Sequence, residues 1–236
     1  MMLLQSVFKS GKLLLDSTPP QEAALAAQPD PWLLNLVIVV FAVLAMASLK
    51  RFLQVVPYMA DSFLRVRGSA ALEGSIRVSQ DRNLVAIVLS IPAVLLTYRY
   101  RLYNPELFQN LDPNMRVAGI SLVLLSYTLI RHILYLWLRP RRRAEYFRQA
   151  HRIGYTYFIF MMLLLLMTVG LLSLVGVSDQ VIMWVLYAQI GVVYLMFLFR
   201  CAQILSLSCN HLRTFLYLCA LEILPAALLV VSGLVL

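Results

Sequence analysis

The sequence predicts an all-α polytopic membrane protein, a bundle of six transmembrane helices with interfacial amphipathic segments. Three observations carry this expectation. Hydrophobic residues make up 61% of the 236 and charged residues only 13%, about half the usual charged share of a soluble domain, and the mean hydropathy is +0.81. Six stretches approach the roughly 20 apolar residues that cross hydrocarbon at helical rise, where only a helix or a closed barrel bonds all its own backbone groups. The lysines and arginines between these stretches fall mostly on one side.

Residues 1–31 read as a flexible or interfacial N-terminal tail preceding a transmembrane domain over 32–236. Lys9 and Lys12 interrupt the apolar letters of the tail, so no cleaved signal peptide is expected. Leu3 to Leu15 fits a short amphipathic surface helix, and Ser17 to Pro31, with Pro19, Pro20, Pro29 and Pro31, fits a helix-poor linker. The first span, 32–49, opens after Asp30 and Pro31 and closes at Lys50 and Arg51. Beyond it Phe52, Val55, Val56, Met59, Phe63 and Leu64 recur at helical spacing. An interfacial amphipathic helix and a continuation of the first helix toward Gly68 fit that pattern equally.

The second span, 83–98, contains Pro92, which predicts a kink or a tilted helix. The third, 117–138, carries Arg131 and His132 in its last third, and the fourth, 154–177, contains the strongest apolar run, Phe158 to Val169. The tight Ser178-Asp179-Gln180 connection makes the fifth span, 181–199, an antiparallel neighbour of the fourth. The sixth, 214–236, holds Glu222 and Pro225.

The connections sort by charge. Lys50, Arg51, Arg65, Arg67, Arg77 and Arg82 follow the first span, Arg139, Arg141, Arg142, Arg143, Arg148 and Arg152 follow the third, and Arg200 and Arg213 join the fifth to the sixth, fourteen of the twenty lysines and arginines. The other side receives Lys9, Lys12, Arg99, Arg101 and Arg116. The positive-inside rule then makes the arginine-dense side cytoplasmic, so both termini face out. With the net charge of +9 gathered at span ends, the expected partners are anionic lipid headgroups, bound by Arg141, Arg142, Arg143, Arg65 and Arg67, and not nucleic acid. Cys201, Cys209 and Cys219 lack CxxC spacing and read as free thiols.

Two constellations carry possible chemistry. Arg131 lies eight residues from Arg139, and Glu222 nine from Arg213, which at helical rise puts them roughly 12 and 13.5 Å deep. A lone charge at such depth costs at least about 2.5–3.5 kcal/mol, so an ion pair joining the third and sixth spans is expected. In the alternative, Arg131 snorkels to the interface and Glu222 stays protonated. The second constellation is His132, His151 and His211 with Cys201 and Cys209, all on the cytoplasmic half. No pair of them has the i, i+3 or i, i+4 spacing of a helical metal site, so neither a metal nor a haem cofactor is predicted. His132, His211, Cys209 and Gln189 are retained as a polar or ligand site, although Gln189 and Thr168 more often bond across helices. No GxSxG, HExxH or Walker loop is present.

A non-enzymatic structural or assembly component of a larger envelope complex, or a homo-oligomer, fits this inventory. The alternatives are a small transporter or channel with a polar waist at Arg131, His132 and Glu222, and a haem- or lipid-related membrane enzyme.

The segment Phe215-Leu-Tyr-Leu-Cys-Ala-Leu-Glu-Ile-Leu-Pro225, preceded by Asn210 and His211 and combined with the Trp32 helix and the arginine-rich loop before Asn83, resembles an uncharacterised family of bacterial multi-pass inner-membrane proteins, domain of unknown function 4271. The resemblance covers most of 32–236 and rests chiefly on Leu-Glu-Ile-Leu-Pro. It implies a Gram-negative inner membrane and a loose genomic association with a haem-biosynthesis enzyme. It implies no activity and assigns no catalytic residue.

Overall fold

Apolar runs rich in Leu, Val, Ile and Met fold as helices here, and the helices continue well beyond the apolar letters, because Lys, Arg, Glu and Gln are themselves good helix formers. The computed structural model describes residues 32–64, 76–109, 111–138, 144–206 and 210–235. Within them lie α1 (Trp32–Leu64), α2 (Ile76–Arg99), the single-turn α3 (Glu106–Gln109), α4 (Pro113–Trp137), α5 (Ala144–Val175), α6 (Asp179–Ser206) and α7 (His211–Leu218). A π turn, Cys219–Ile223, leads without a break into α8 (Leu224–Val235). No strand occurs among the described residues. Among the described residues six segments are long and apolar enough to cross a membrane: 35–57, 78–99, 113–137, 147–175, 179–206 and 212–233.

The limits differ from those drawn on the apolar letters. Lys50 and Arg51 do not stop α1, which continues through Pro57 to Leu64, so the amphipathic stretch after residue 51 is the second half of the first helix. The second helix starts at Ile76, which removes Arg77 and Arg82 from the connection. Arg82 is only 1% exposed within this helix, a correction to its place in the connection after the first span. Likewise α5 starts at Ala144 and takes in Arg148, His151 and Arg152, while α6 runs on to Ser206 and takes in Arg200. A charged residue marks where hydrocarbon ends, and the backbone can keep its i→i−4 bonds through that boundary.

Helices α5 and α6 form the central pair. Their connection is a Schellman motif, with Gly176 at φ +75°, the Val177 N–H donating to the Leu172 carbonyl at 3.1 Å and the Gly176 N–H to Ser173 at 3.2 Å. Glycine fits the left-handed position without a Cβ penalty. One apolar cluster joins Val55 of α1, Val85 and Leu89 of α2, Ile159 and Met162 of α5, and Ile182 and Leu186 of α6. The other joins Tyr135 of α4, Phe147 and Ile153 of α5, Val193, Phe197 and Cys201 of α6, and Leu221 of the π turn. The polar residues described below border this second cluster.

At one end of the bundle Arg99 meets Asp179 at 3.1 Å and the Tyr103 hydroxyl shares a hydrogen bond of 3.0 Å with Ser232. The opposite end carries the C-terminus of α4 and the N-terminus of α5. Because Leu186 is fully buried between α5 and α2 residues while Leu195, on the same helix, is 65% exposed, Leu186→Ala should lower the unfolding free energy by about 2–5 kcal/mol. Leu195→Ala should change it by less than about 1 kcal/mol. Reversible denaturant unfolding in micelles measures both, and equal effects would contradict this packing.

Candidate functional site

Arg131 and Tyr135 are four residues apart on α4, and side chains at that spacing share one helix face. Both reach Glu222. The Arg131 Nη2 donates to Glu222 Oε1 at 2.9 Å and its Nε to Oε2 at 3.0 Å, a two-point match of guanidinium to carboxylate. The Tyr135 hydroxyl donates to Oε1 at 2.6 Å. Glu222 is 1% exposed, and the Arg131 side chain 16%. The structure thus brings Arg131 and Glu222 together and adds a third partner, Tyr135.

Backbone geometry sets Glu222 in place. Pro225 has no N–H, and in α geometry its ring would crowd the carbonyl four residues earlier, that of Leu221. The widened turn Cys219–Ile223, closed by the Leu224 N–H on the Cys219 carbonyl, lies immediately before it. Such turns are rare and concentrate at functional positions. From α6 the Tyr194 hydroxyl donates to the Glu222 main-chain carbonyl at 3.0 Å. The Arg131 Cζ lies 5.4 Å from the Phe197 ring centre and 5.6 Å from that of Tyr135, within range for cation–π attraction. Against α5 the guanidinium fits only because residue 154 is glycine: a Cβ there would lie 2.5 Å from Nη2 and 2.8 Å from Nη1.

On the far side of Tyr135 lies a row of rings. Its ring centre is 4.7 Å from that of His151, which is 5.3 Å from His132 and 5.7 Å from Tyr155, all edge-to-face. The Arg82 Cζ is 5.9 Å from the Tyr155 ring centre, and its Nη2 reaches Asn83 Oδ1 at 3.3 Å. These groups border an open cleft of about 270 Å³, lined by Asn83, His132, Tyr135, Leu136, Phe147, Arg148, His151, Arg152 and Tyr155. Spacing along one helix could not reveal the His132–His151 contact, because its members sit on α4 and α5. Tyr135, Tyr194, Gly154 and Phe197 were not singled out either. Only Tyr135 had a readable signal, its i+4 relation to Arg131.

Gln189 belongs elsewhere. Its Nε2 donates to Thr168 Oγ1 at 2.6 Å, across α5 and α6, and it is eight residues from Phe197, roughly 12 Å along the helix. His211 is the first residue of α7, but its side chain is not among those described. Cys209, Arg65, Arg67, Arg141, Arg142 and Arg143 lie outside the described residues. Cys201 is buried, its thiol 3.9 Å from the Ala150 carbonyl. Among the described residues no three His, Cys, Asp or Glu side chains gather into a group that could hold a metal ion.

The family model described as Domain of unknown function (DUF4271) matches residues 32–232, and the chain belongs to that family. No curated protein and no solved structure matches the chain.

Two outcomes follow from the geometry of the pair. Glu222→Gln strands the Arg131 charge and should lower the unfolding free energy in micelles by about 3–5 kcal/mol, while the Arg131→Leu, Glu222→Leu double variant should recover most of it; a double variant as unstable as the single would rule out the pair as the origin of the loss. Gly154→Ala should displace the guanidinium and destabilise the protein by about 1–3 kcal/mol. In an Arg131→Leu background that penalty should shrink to below about 1 kcal/mol, and a penalty independent of Arg131 would point to a different role for the glycine.

Proposed function

We propose that this member of the DUF4271 family is a non-enzymatic integral membrane protein serving as a structural or assembly component of a larger envelope complex. It would sit in the bacterial inner membrane with the arginine-dense end cytoplasmic and both termini periplasmic. The observation that carries this reading is α1. Among its described side chains only Ser48 and Val55 are buried, while Val39, Val43, Met46, Leu49 and Leu53 are more than half exposed. A long apolar helix packed so lightly against its own bundle has a surface available to a second chain, and in lipid such helices associate through close van der Waals packing. The intramembrane polar groups support the same reading, since Arg131, Glu222, Tyr135 and Tyr194 fasten α4, α6 and the π turn to one another.

Transport through a polar waist at Arg131, His132 and Glu222 is the second reading. One observation favours it: the cleft reaches Tyr135, whose hydroxyl bonds Glu222. Its weakness is that Glu222 is almost fully enclosed.

A photo-crosslinking residue placed at Val43 or Leu53 in the full chain in cells should give a discrete adduct of one mass, and the same residue at Leu122 or Leu125 on α4 should not. Absence of any adduct along α1 would remove the support for an assembly role. Reaction of a Glu222→Cys variant with a membrane-impermeant thiol reagent would favour the transport reading instead.

A further inference from the structure

We propose that the cleft between α2, α4 and α5 binds the neutral aromatic head of a membrane-soluble quinone, with His132, His151 and Tyr155 as its hydrogen-bonding partners and the tail lying along the outer face of α4. The three rings stand in one edge-to-face row and all line the cleft. None of them makes a side-chain hydrogen bond to another described residue. His132 is five residues from Trp137 at the end of α4, about 7.5 Å along the axis, and a polar group at membrane depth is costly unless something bonds it. A neutral imidazole has one donor and one acceptor nitrogen, and a phenol both donates and accepts. The three therefore suit a head whose oxygens accept in the quinone and donate as well in the hydroquinone.

The rest of the lining fits a flat, uncharged ring. The Tyr135 hydroxyl is held by Glu222 at 2.6 Å, so Tyr135, like Phe147, offers the cleft its ring alone, and aromatic rings pack on one another edge-on or offset. Walls that are mostly apolar and aromatic, with a few polar groups, are the usual make-up of a small-molecule site. The cleft, about 270 Å³, is slightly smaller than the roughly 300 Å³ at the low end of such sites, so it takes one substituted ring and not a whole lipid. Arg82 and Arg152 have interactions of their own, and a neutral head does not call on them. Leu136 lines the cleft and is 60% exposed, and Ile133 and Leu129 continue that outward apolar face toward the middle of α4. A head in the cleft would therefore extend its tail onto a lipid-facing strip, beside Trp137, which is 87% exposed, as a ring at the membrane interface would be.

The test uses the full chain in phosphatidylcholine nanodiscs, with decylubiquinone as the probe and its quenching of tryptophan fluorescence as the readout. Trp32→Phe with Trp184→Phe leaves Trp137, next to the cleft residue Leu136, as the single reporter. Trp32→Phe with Trp137→Phe leaves instead Trp184, which is 64% exposed and close to the start of α6 at the other end of the bundle. Quenching of Trp137 should saturate, whereas that of Trp184 should rise linearly with the quinone, as random collisions do. In the Trp137 reporter, Tyr155→Phe keeps the ring, removes only the hydroxyl and should weaken the apparent affinity about fivefold, as loss of one hydrogen bond does. Adding His132→Phe, a ring for a ring at an exposed position, should carry the loss beyond about tenfold. Decanol, a tail without the ring, should not compete. Linear quenching of Trp137, an affinity unchanged in the Tyr155→Phe, His132→Phe double variant, or competition by decanol would overturn the proposal. Displacement of the quinone by added phosphatidylglycerol would overturn it in favour of a phospholipid head.

Discussion

A charge at membrane depth has to be neutralised by a protein group, and the pairing of Arg131 with Glu222 is the constraint from which much of the remaining structure follows. It fixes which face of α4 turns inward and therefore which residues flank it. It requires Glu222 to present its carboxylate toward α4 three residues before Pro225, and the π turn Cys219–Ile223 carries it there. It requires α5 to yield volume, which Gly154 does. With Tyr135 on the carboxylate and Tyr194 on the adjoining carbonyl, the charged pair is enclosed by hydrogen bonds and aromatic faces, the condition under which a buried ion pair is tolerated.

The apolar part of the fold makes this arrangement possible. The α5–α6 pair, joined by the Gly176 motif, contributes to both apolar clusters. Phe197 and Cys201 of α6 and Ile153 of α5 form the wall against which the polar residues sit. Close packing on that wall leaves little freedom for the Arg131 guanidinium, whose position is set from three sides by Phe197, Tyr135 and Gly154. The cleft borders the same wall and shares Tyr135 and Phe147 with it. Its described lining includes Arg148, Arg152, His132 and His151.

Much of the architecture is legible in the chain itself. The apolar runs announce six spans, and Ser178-Asp179-Gln180 announces the antiparallel pair. Helix limits are less legible, because the hydrocarbon boundary and the end of a helix are separate events. Lys50, Arg82, Arg148 and Arg200 all lie inside helices. Arg82 shows the consequence most clearly, since a cation that composition places in a loop is buried beside Tyr155.

Composition and order along the chain determined the fold class, the six apolar segments, the asymmetry of basic residues and the similar depths of Arg131 and Glu222, because each follows from hydrophobicity and helical rise. Tertiary structure alone decided that His132 faces His151, that Tyr135 bridges the carboxylate and the ring row, that Gly154 makes room for the guanidinium, and that Gln189 pairs with Thr168. The physical reason is rotational: spacing fixes which residues share a face within one helix, whereas the direction that face points is set by packing against neighbours distant in the chain.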